Sequence, residues 1–347
     1  MLRQLLRKSQ LADYLYVSAR NALSAERRQS VIDFYRSSRY LHYETLGDKN
    51  PDKVIYMLDP VKSYTSGFFS NLSMVLFKYD FAHEHGMEPV TYKGNLTHYA
   101  EPVRFLGTDN YFEYFFRQPA GISLEDALSS RHVIWGEGKH LTKYDSLSME
   151  KQDGILIREL KKNLIFRDEV FQEMEKSRKE FIGNKKVLGV KYRGTGYKEK
   201  LKGHPVFIPP QELIGHVKKM YSYGFDSIYL ATEDETALKQ FEKYFGNRLI
   251  YDRSILRAGE GQIHVDLARS SPKDHTAYRE GLNVLKDVWV LSHAAAFAGS
   301  QCGVTRFADL FNRAYCKNRF EYLDIIDKGV YKKGRNSIKE GKKRYQL

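Results

Sequence analysis

The sequence predicts an α/β fold made of two halves, each built on a parallel sheet. Its 347 residues suggest about two domains, and a hydrophobic fraction of 42% is enough to bury two cores. From about 185 to 326, short apolar strands alternate with amphipathic helices, an order typical of parallel sheets with covered faces. A strand-loop-helix-strand order at 54–92 predicts a similar sheet in the N-terminal half.

The first 50 residues predict a basic helical segment. Leu2, Leu5 and Leu6 recur at helical spacing, with basic residues between them, and helix is predicted up to residue 47. The run 47–51, Gly-Asp-Lys-Asn-Pro, ends it. Such a helix either lies on a membrane surface or packs on its own protein.

The N-terminal domain is predicted at residues 51–165. Its first strand, 54–58, leads through a Gly-containing loop to a helix at about 72–84 and a strand at 88–92, the start of a Rossmann-like half. No GxGxxG motif follows the first strand, so no dinucleotide site is predicted. Residues 94–150 are irregular and aromatic, which suits either sugar stacking or a small core. A charged helical stretch, 153–182, connects the halves.

The C-terminal domain is predicted at residues 166–326, and a basic tail is predicted at residues 327–347. The predicted strands of this domain are 187–192, 227–231, 248–251 and 294–298, and its helices are 210–223, 235–245, 276–292 and 303–313.

Three of these strands end in small, polar and charged residues. They are followed by Arg193-Gly194, by the run Thr232 to Glu235, and by Gly299-Ser300-Gln301. Because ligands of parallel sheets bind beyond the carboxyl ends of strands, these residues predict one composite site. The arginine fork suits a phosphate or carboxylate. Ser300 suits an anion at a helix N-terminus, a helix cap, or both together. Capping of the following helix also explains an acid after Thr232, but a cap needs one acid and this run has three.

The net charge of +13 is concentrated at the two ends of the chain. Residues 1–50 carry a surplus of four positive charges and residues 326–347 a surplus of six, so the body between them is nearly neutral. A neutral body argues against nucleic acid as a partner. The basic ends suit weak peripheral contact with an anionic membrane, or they are solvated tails.

No metal or disulfide motif is found. His83 and His85 are two residues apart, which places them on different helix faces, and only Cys302 and Cys316 occur. There is no HExxH, P-loop or GxSxG motif, no apolar run of 18 residues and no secretory signal. A cytoplasmic protein is expected, with a phosphate-bearing ligand held by basic side chains and backbone and without a metal.

Several short motifs resemble one family of glycosyltransferases. They are Arg193-Gly194-Thr195, Gly203-His204-Pro205, the run Leu230 to Asp234, Asp287, Gly299-Ser300-Gln301 and the loop Ser66 to Asn71. In their order over residues 54–315, they resemble the α-1,6- and protein-O-fucosyltransferases, including the rhizobial nodulation enzymes and bacterial polysaccharide relatives.

This resemblance implies a GT-B fold, in which two Rossmann-like domains face a cleft and the C-terminal one binds the donor. It implies an inverting, metal-independent enzyme that moves fucose from GDP-fucose to a glycan acceptor such as a surface polysaccharide or oligosaccharide, with no cofactor. The implied catalytic residues are Arg193, Glu199 and His204, with Glu199 and His204 as alternative bases. The implied donor-binding residues are Lys191, Thr195, Tyr197, Thr232, Asp234, Asp287, Gly299, Ser300 and Gln301, and the implied acceptor-side residues are Phe68 and Asn71.

The chain departs from the family pattern at two positions. The family often has His where this chain has Lys191, and Asp where it has Gly196. These changes leave two alternatives open: a transferase that uses another nucleotide sugar, and a non-catalytic protein that binds nucleotides or glycans.

Overall fold

The structure is a computed structural model, and its two compact units, Met1–Arg167 and Asp168–Leu347, each carry a sheet. It describes residues 41–60, 66–92, 94, 97–136, 142–194, 196–200, 202–255, 257, 275–332 and 338–339. The predicted α/β class is confirmed, because helices cover sheets whose strands are mostly parallel. No helix in the described ranges is long and apolar enough to span a membrane.

The first unit is built on a four-stranded sheet with the order β1-β5-β2-β3. Strand β2 is parallel to β3 and to β5, whereas β1 is antiparallel to β5 at the edge. The described elements are β1 (Leu41–Glu44), β2 (Ile55–Leu58), α1 (Phe68–Glu84), β3 (Glu88–Thr91), α2 (Phe112–Phe115), β4 (Phe116–Arg117), α3 (Leu124–Ala127), β5 (Val133–Gly136), α4 (Thr142–Asp145), α5 (Met149–Asn163) and β6 (Ile165–Phe166).

Strand β1 lies where the sequence predicted helix, so that prediction is wrong for residues 41–47. The four residues of β1 gain a full set of strand partners from β5, with Tyr43 opposite Ile134, and Leu41 is buried. Tertiary pairing of this kind overrides local helical spacing. The part of the predicted helical segment at 1–40 lies outside the described residues.

The aromatic segment 111–116 forms part of the core of the first unit. Its five aromatic side chains are at most 3% exposed, and the ring of Phe115 contacts that of Phe68. The core interpretation is therefore confirmed and sugar stacking by this segment is wrong. Strand β5 lies in the stretch predicted to be irregular, and the helical stretch predicted at 153–182 is interrupted by β6.

The second unit is built on a five-stranded sheet with the order β11-β10-β7-β8-β9, and all its strands are parallel. Its described elements are α6 (Asp168–Phe181), β7 (Val187–Lys191), α7 (Pro210–Tyr221), β8 (Ser227–Ala231), α8 (Glu235–Phe245), β9 (Leu249–Ile250), α9 (Thr276–Ser292), β10 (Ala296–Ser300), α10 (Gly303–Tyr315), β11 (Leu323–Ile326), β12 (Val330–Tyr331) and β13 (Ile338–Lys339).

The order of these strands reverses beside β7. The chain adds β8 and β9 on one side of β7 and then returns to add β10 and β11 on the other. The carboxyl ends of β7 and β10 therefore flank a topological switch point, the position at which open α/β sheets bind ligands.

Side-chain alternation decides which residues of β7 face each layer of helices. Leu188 and Val190 belong to the core that includes residues of α7 and α8. Gly189 lies on the opposite face, where a Cβ would stand 3.2 Å from Leu291 of α9. Lys191 has the parity of Gly189, so its side chain leaves the sheet on the face covered by α9.

The start of the C-terminal segment is bonded into the second unit. Gly203 donates its N–H to the carbonyl of Tyr331 (2.9 Å), and Tyr331 donates its own N–H to the carbonyl of His204 (3.1 Å). Tyr331 is 4% exposed, and its hydroxyl accepts from the N–H of Phe207 (3.3 Å). Strand β12 therefore braces the loop that carries His204.

Candidate functional site

The site begins where β7 and β10 end side by side. The backbone N–H of Arg193 donates to the hydroxyl of Ser300, with an N···O distance of 3.4 Å. Gly299 allows this close approach, because a Cβ there would stand only 3.1 Å from the carbonyl oxygen of Lys191. The switch point thus brings together residues that are more than 100 positions apart in the chain.

Glu233 joins the two basic side chains of the site. Its Oε2 lies 2.8 Å from Nζ of Lys191 and its Oε1 lies 2.7 Å from a terminal guanidinium nitrogen of Arg193. Burial raises the pKa of Glu233, but the charges of Arg193 and Lys191 outweigh that effect and lower it to about 2. The carboxylate is therefore ionised at any physiological pH.

Asp234 supports the backbone of the site. It caps α8, because its Oδ1 accepts from the N–H of Ala237 (2.9 Å), and its Oδ2 lies 2.8 Å from Nζ of Lys198. Gly194 passes directly over this carboxylate. A Cβ at Gly194 would overlap Oδ2 of Asp234 and stand 2.7 Å from the ring of Tyr192, so only glycine fits.

Thr232 and Glu235 also have structural partners. The hydroxyl of Thr232 accepts from the N–H of Asp234 (3.1 Å), and its carbonyl accepts from Nε of Arg257 (3.1 Å). Glu235 forms an exposed ion pair with Lys239 (2.8 Å). Turn formation and capping thus explain Thr232 and Asp234, an exposed ion pair explains Glu235, and Glu233 is the member that contacts the basic side chains.

The loop after β7 brings Tyr197 and His204 beside Arg193. The guanidinium of Arg193 lies 5.7 Å from the ring centre of Tyr197, and the rings of Tyr197 and His204 are also 5.7 Å apart. Burial is the main cause that raises the pKa of Tyr197. Nδ1 of His204 is buried and has no hydrogen-bond partner among the described residues. Glu199 is exposed on the same loop, and Thr195 lies outside the described residues.

Asp287 lies on α9, close enough to Lys191 for their charges to interact. It is 8% exposed, and its Oδ1 accepts from the hydroxyl of Tyr229 (2.7 Å) on β8. Burial raises the pKa of Asp287, whereas the charge of Lys191 and the hydrogen bond from Tyr229 act in the opposite direction. The carboxyl group is therefore held in a fixed place close to the carboxyl edge of the sheet.

The helix after β10 begins at Gly303, as predicted, and its cap is Cys302. The alternative that Ser300 caps this helix is wrong, because α10 begins at Gly303 and Sγ of Cys302 accepts from the N–H of Thr305 (3.4 Å). The carbonyl of Ser300 accepts from the hydroxyl of Thr305 (2.7 Å). Gln301 donates its N–H to the carbonyl of Ile326 (3.1 Å). These bonds direct the N-terminus of α10 towards the edge that carries Arg193.

The acceptor-side candidates lie in the first unit. Phe68 and Asn71 begin α1 and are 3% and 0% exposed. The ring of Phe68 packs edge to face on Tyr99, 5.2 Å between centres, and Asn71 interacts with the hydroxyl of Tyr111. Both side chains thus contribute to the core of that unit.

Chemically, the edge of the second unit is suited to an anion. Lys191 and Arg193 place two cations at the end of β7, and α10, which begins three residues after Ser300, is long enough to carry a dipole whose positive end is its N-terminus. No group of three or more metal-binding side chains was found among the described residues. Sequence reasoning missed Glu233, Tyr229 and Cys302. The only sequence signal was that three acids in a row exceed the needs of a cap.

No protein-family model and no curated protein matches this chain. Among solved structures, it is similar to NodZ α-1,6-fucosyltransferase soaked with GDP-fucose, with 13% identity, a TM-score of 0.47 and coverage of 74% of this chain and 92% of that chain. Fucosyltransferase NodZ from Bradyrhizobium is 13% identical with a TM-score of 0.46, and the match covers 74% of this chain and 93% of that chain. POFUT1 in its apo form is 10% identical with a TM-score of 0.38, and the match covers 79% of this chain and 98% of that chain. These likenesses assign no role to any residue of this chain.

Proposed function

We propose that this protein is an inverting, metal-independent glycosyltransferase that moves fucose from GDP-fucose to a glycan acceptor such as a surface polysaccharide or oligosaccharide. The observation that carries the proposal is the meeting of Arg193, Lys191 and Ser300 at the switch point of the second sheet. The order of the sequence motifs supports fucose as the sugar. NodZ and POFUT1 have been solved with GDP-fucose, which is the donor proposed here.

The diphosphate of the donor is placed on Arg193, with the N-terminus of α10 on its other side. A guanidinium binds two phosphate oxygens at once, and charge-assisted bonds of this kind are stronger than neutral ones. When the bond between the anomeric carbon and the β-phosphate oxygen breaks, the electron pair stays on the leaving GDP. The positive groups stabilise that developing charge, which lowers the barrier.

The attacking acceptor hydroxyl forms the new bond to the anomeric carbon and loses its proton to a base. His204 is the better placed of the two candidates, because its ring lies beside Tyr197 and Nδ1 has no described partner. An imidazole nitrogen without a partner can take the proton of the hydroxyl as the new bond forms. Glu199 is exposed on the loop and is proposed as the second candidate.

The proposal is tested by incubating the protein with GDP-fucose, GDP-mannose, UDP-glucose or UDP-galactose and a mixture of small oligosaccharides, and by measuring the released nucleotide. GDP should appear with GDP-fucose alone, and the rate should persist in EDTA. Release from another donor supports the alternative nucleotide sugar. Thermal stabilisation by GDP-fucose without release of GDP supports the non-catalytic alternative. Loss of release in EDTA that Mn²⁺ restores would show that a metal takes part.

A matched pair of variants separates the base from a structural effect. His204→Gln should reduce fucose transfer at least a hundredfold, since a positioned base contributes about 10²–10⁴ in rate, while GDP binding stays within about twofold. The control His216→Gln changes an imidazole of the same unit that pairs with Asp324, 2.6 Å away. It should transfer fucose at the native rate. If His204→Gln is fully active, Glu199→Gln is the next variant to assay.

A further inference from the structure

We propose that Glu233 is the positioning residue of this anion site: it aims the guanidinium of Arg193 and keeps the buried ammonium of Lys191 charged, so that both cations act on the ligand. The inference rests on the proposed function in taking the ligand to be the diphosphate of the donor. Neither the motifs nor the comparisons assign Glu233 a role, and its own contacts with the two cations carry the argument.

The geometry shows one carboxylate shared between two cations. Each oxygen of Glu233 contacts a different partner, Oε2 on Lys191 and Oε1 on Arg193, at 2.8 and 2.7 Å. The side chain of Lys191 is only 4% exposed. A buried ammonium is stable only when it is paired, because burial penalises its charged form and strengthens its attraction to a nearby carboxylate.

The other charges around Lys191 do not replace Glu233. Asp287 faces Lys191 from α9, but burial raises the pKa of that carboxyl, and its Oδ1 is bonded to Tyr229. Asp252 is paired with Lys286 at 2.9 Å, and Arg257, which donates to the carbonyl of Thr232, is a cation and cannot replace a carboxylate. The neighbouring strand β10 presents Gly299 and Ser300, which carry no charge. Asp234 is already engaged by Lys198 and by its capping bond.

Helix capping does not account for Glu233. The cap of α8 is Asp234, and Glu235 forms an exposed pair with Lys239. Glu233 turns instead to the end of β7, with its side chain 14% exposed. Glu235 therefore offers a matched control, since it is the same residue type, is two positions away and also pairs with a lysine.

The test uses Glu233→Gln, Glu235→Gln and the double variant Lys191→Met/Glu233→Gln in the full-length protein. Calorimetry measures binding of inorganic pyrophosphate at pH 6.5, 8 and 9, and each variant is compared with the native protein at the same pH to cancel the ionisation of pyrophosphate. For Glu233→Gln, affinity relative to native should fall several-fold at pH 6.5 and at least a further tenfold by pH 9, because an unpaired buried ammonium favours its neutral form.

The controls separate positioning from other effects. Glu235→Gln should match the native protein at every pH, and the double variant should bind weakly with no extra pH dependence. Tighter binding by Glu233→Gln at every pH would show that the carboxylate competes with the anion, and a constant affinity ratio would show that another group keeps Lys191 charged. Either result overturns the inference. If Glu233→Gln folds poorly, adding Lys191→Met should restore the melting temperature, and failure to do so also overturns it.

The same data separate this inference from the proposed function. A native protein that binds pyrophosphate with these effects but never transfers fucose would overturn only the proposed function. A native protein that does not bind pyrophosphate would remove the anion site, and this inference with it.

Discussion

The backbone N–H of Arg193 donates to the hydroxyl of Ser300, 3.4 Å away, across the gap between β7 and β10. This bond joins the loop after β7 to the last residue of β10, and two described strands, β8 and β9, lie between β7 and β10 in the sequence. It lies at the one place in the second sheet where the strand order reverses. We propose that the donor diphosphate binds there, between the guanidinium of Arg193 and the N-terminus of α10.

Gly194→Ala should destabilise the protein and disturb the site. The added methyl group overlaps the capping carboxylate of Asp234 and the ring of Tyr192, and overpacking of this kind costs about 1–3 kcal/mol. Urea unfolding measures the change. The control Gly215→Ala, in α7 with open space around its Cβ position, should instead stabilise by about 0.5–1 kcal/mol. Equal effects of the two substitutions would contradict the close approach at Gly194.

Lys78 should make stability depend on alkaline pH. Burial lowers the pKa of this lysine from 10.5 to about 8, and Nζ donates to the carbonyl of Asp59 (3.1 Å). Between about pH 8 and 10.5, the unfolded chain binds the proton and the folded chain does not, so stability rises with pH through this window. The penalty below pH 8 is on the order of 3 kcal/mol.

The comparison of native protein with Lys78→Met isolates this effect from the tyrosines that also titrate in alkali. The difference in unfolding free energy between the two proteins should shift by about 2–4 kcal/mol in favour of the native protein from pH 7.5 to pH 10.5. A constant difference over that range would show that the ammonium is well compensated in the folded state.

Deleting residues 328–347 should impair the site, whereas deleting 340–347 should not. The longer deletion removes β12, whose backbone bonds hold the loop at Gly203 and His204. The sequence alone predicts unchanged transfer to a soluble acceptor after this deletion, whereas the bonds of β12 to this loop predict reduced transfer. Melting temperature and fucose transfer check the prediction. Native turnover by the longer deletion would show that His204 keeps its place without the brace.

Asp287→Asn should weaken GDP binding more than pyrophosphate binding. A carboxylate held at this edge can accept from the N1–H and N2–H₂ groups of guanine, and its amide replacement presents a donor to them instead. The control Asp309→Asn changes a carboxyl that is also 8% exposed but pairs with Arg313 on α10. Calorimetry measures the affinity of each protein for GDP, UDP and pyrophosphate. Equal affinity of the native protein for UDP and GDP would refute this role.

Local patterns were sufficient to predict most of the second unit. Short apolar runs with helices between them predicted β7, β8 and β10 to within two residues at their starts and ends, since buried parallel strands are nearly continuous in apolar residues. The strand order depends on the whole chain. The sequence therefore predicted that Arg193 and Ser300 lie at the same edge of the sheet, but not that they are bonded to each other.

Other features depend on contacts that no local pattern records. Strand β1 becomes a strand by pairing with β5, and β5 itself is a four-residue segment that ends in glycine. Glu233 could not be separated from Asp234 and Glu235 by residue type, because only the turn after β8 decides which carboxylate faces β7. The cap at Cys302 was missed because serine is the commoner capping residue.

The most direct test of the account is the affinity of Arg193→Ala for GDP, measured by calorimetry beside the native protein, Arg193→Lys and the control Arg248→Ala, an exposed arginine stacked on Tyr221. A charge-assisted phosphate contact contributes about 1.5–3 kcal/mol, so Arg193→Ala should lose more than tenfold in affinity. Arg193→Lys should recover little of it, since lysine lacks the two-pronged fork, and Arg248→Ala should bind as the native protein does. Unchanged GDP affinity in Arg193→Ala would contradict the placement of the donor diphosphate at this edge.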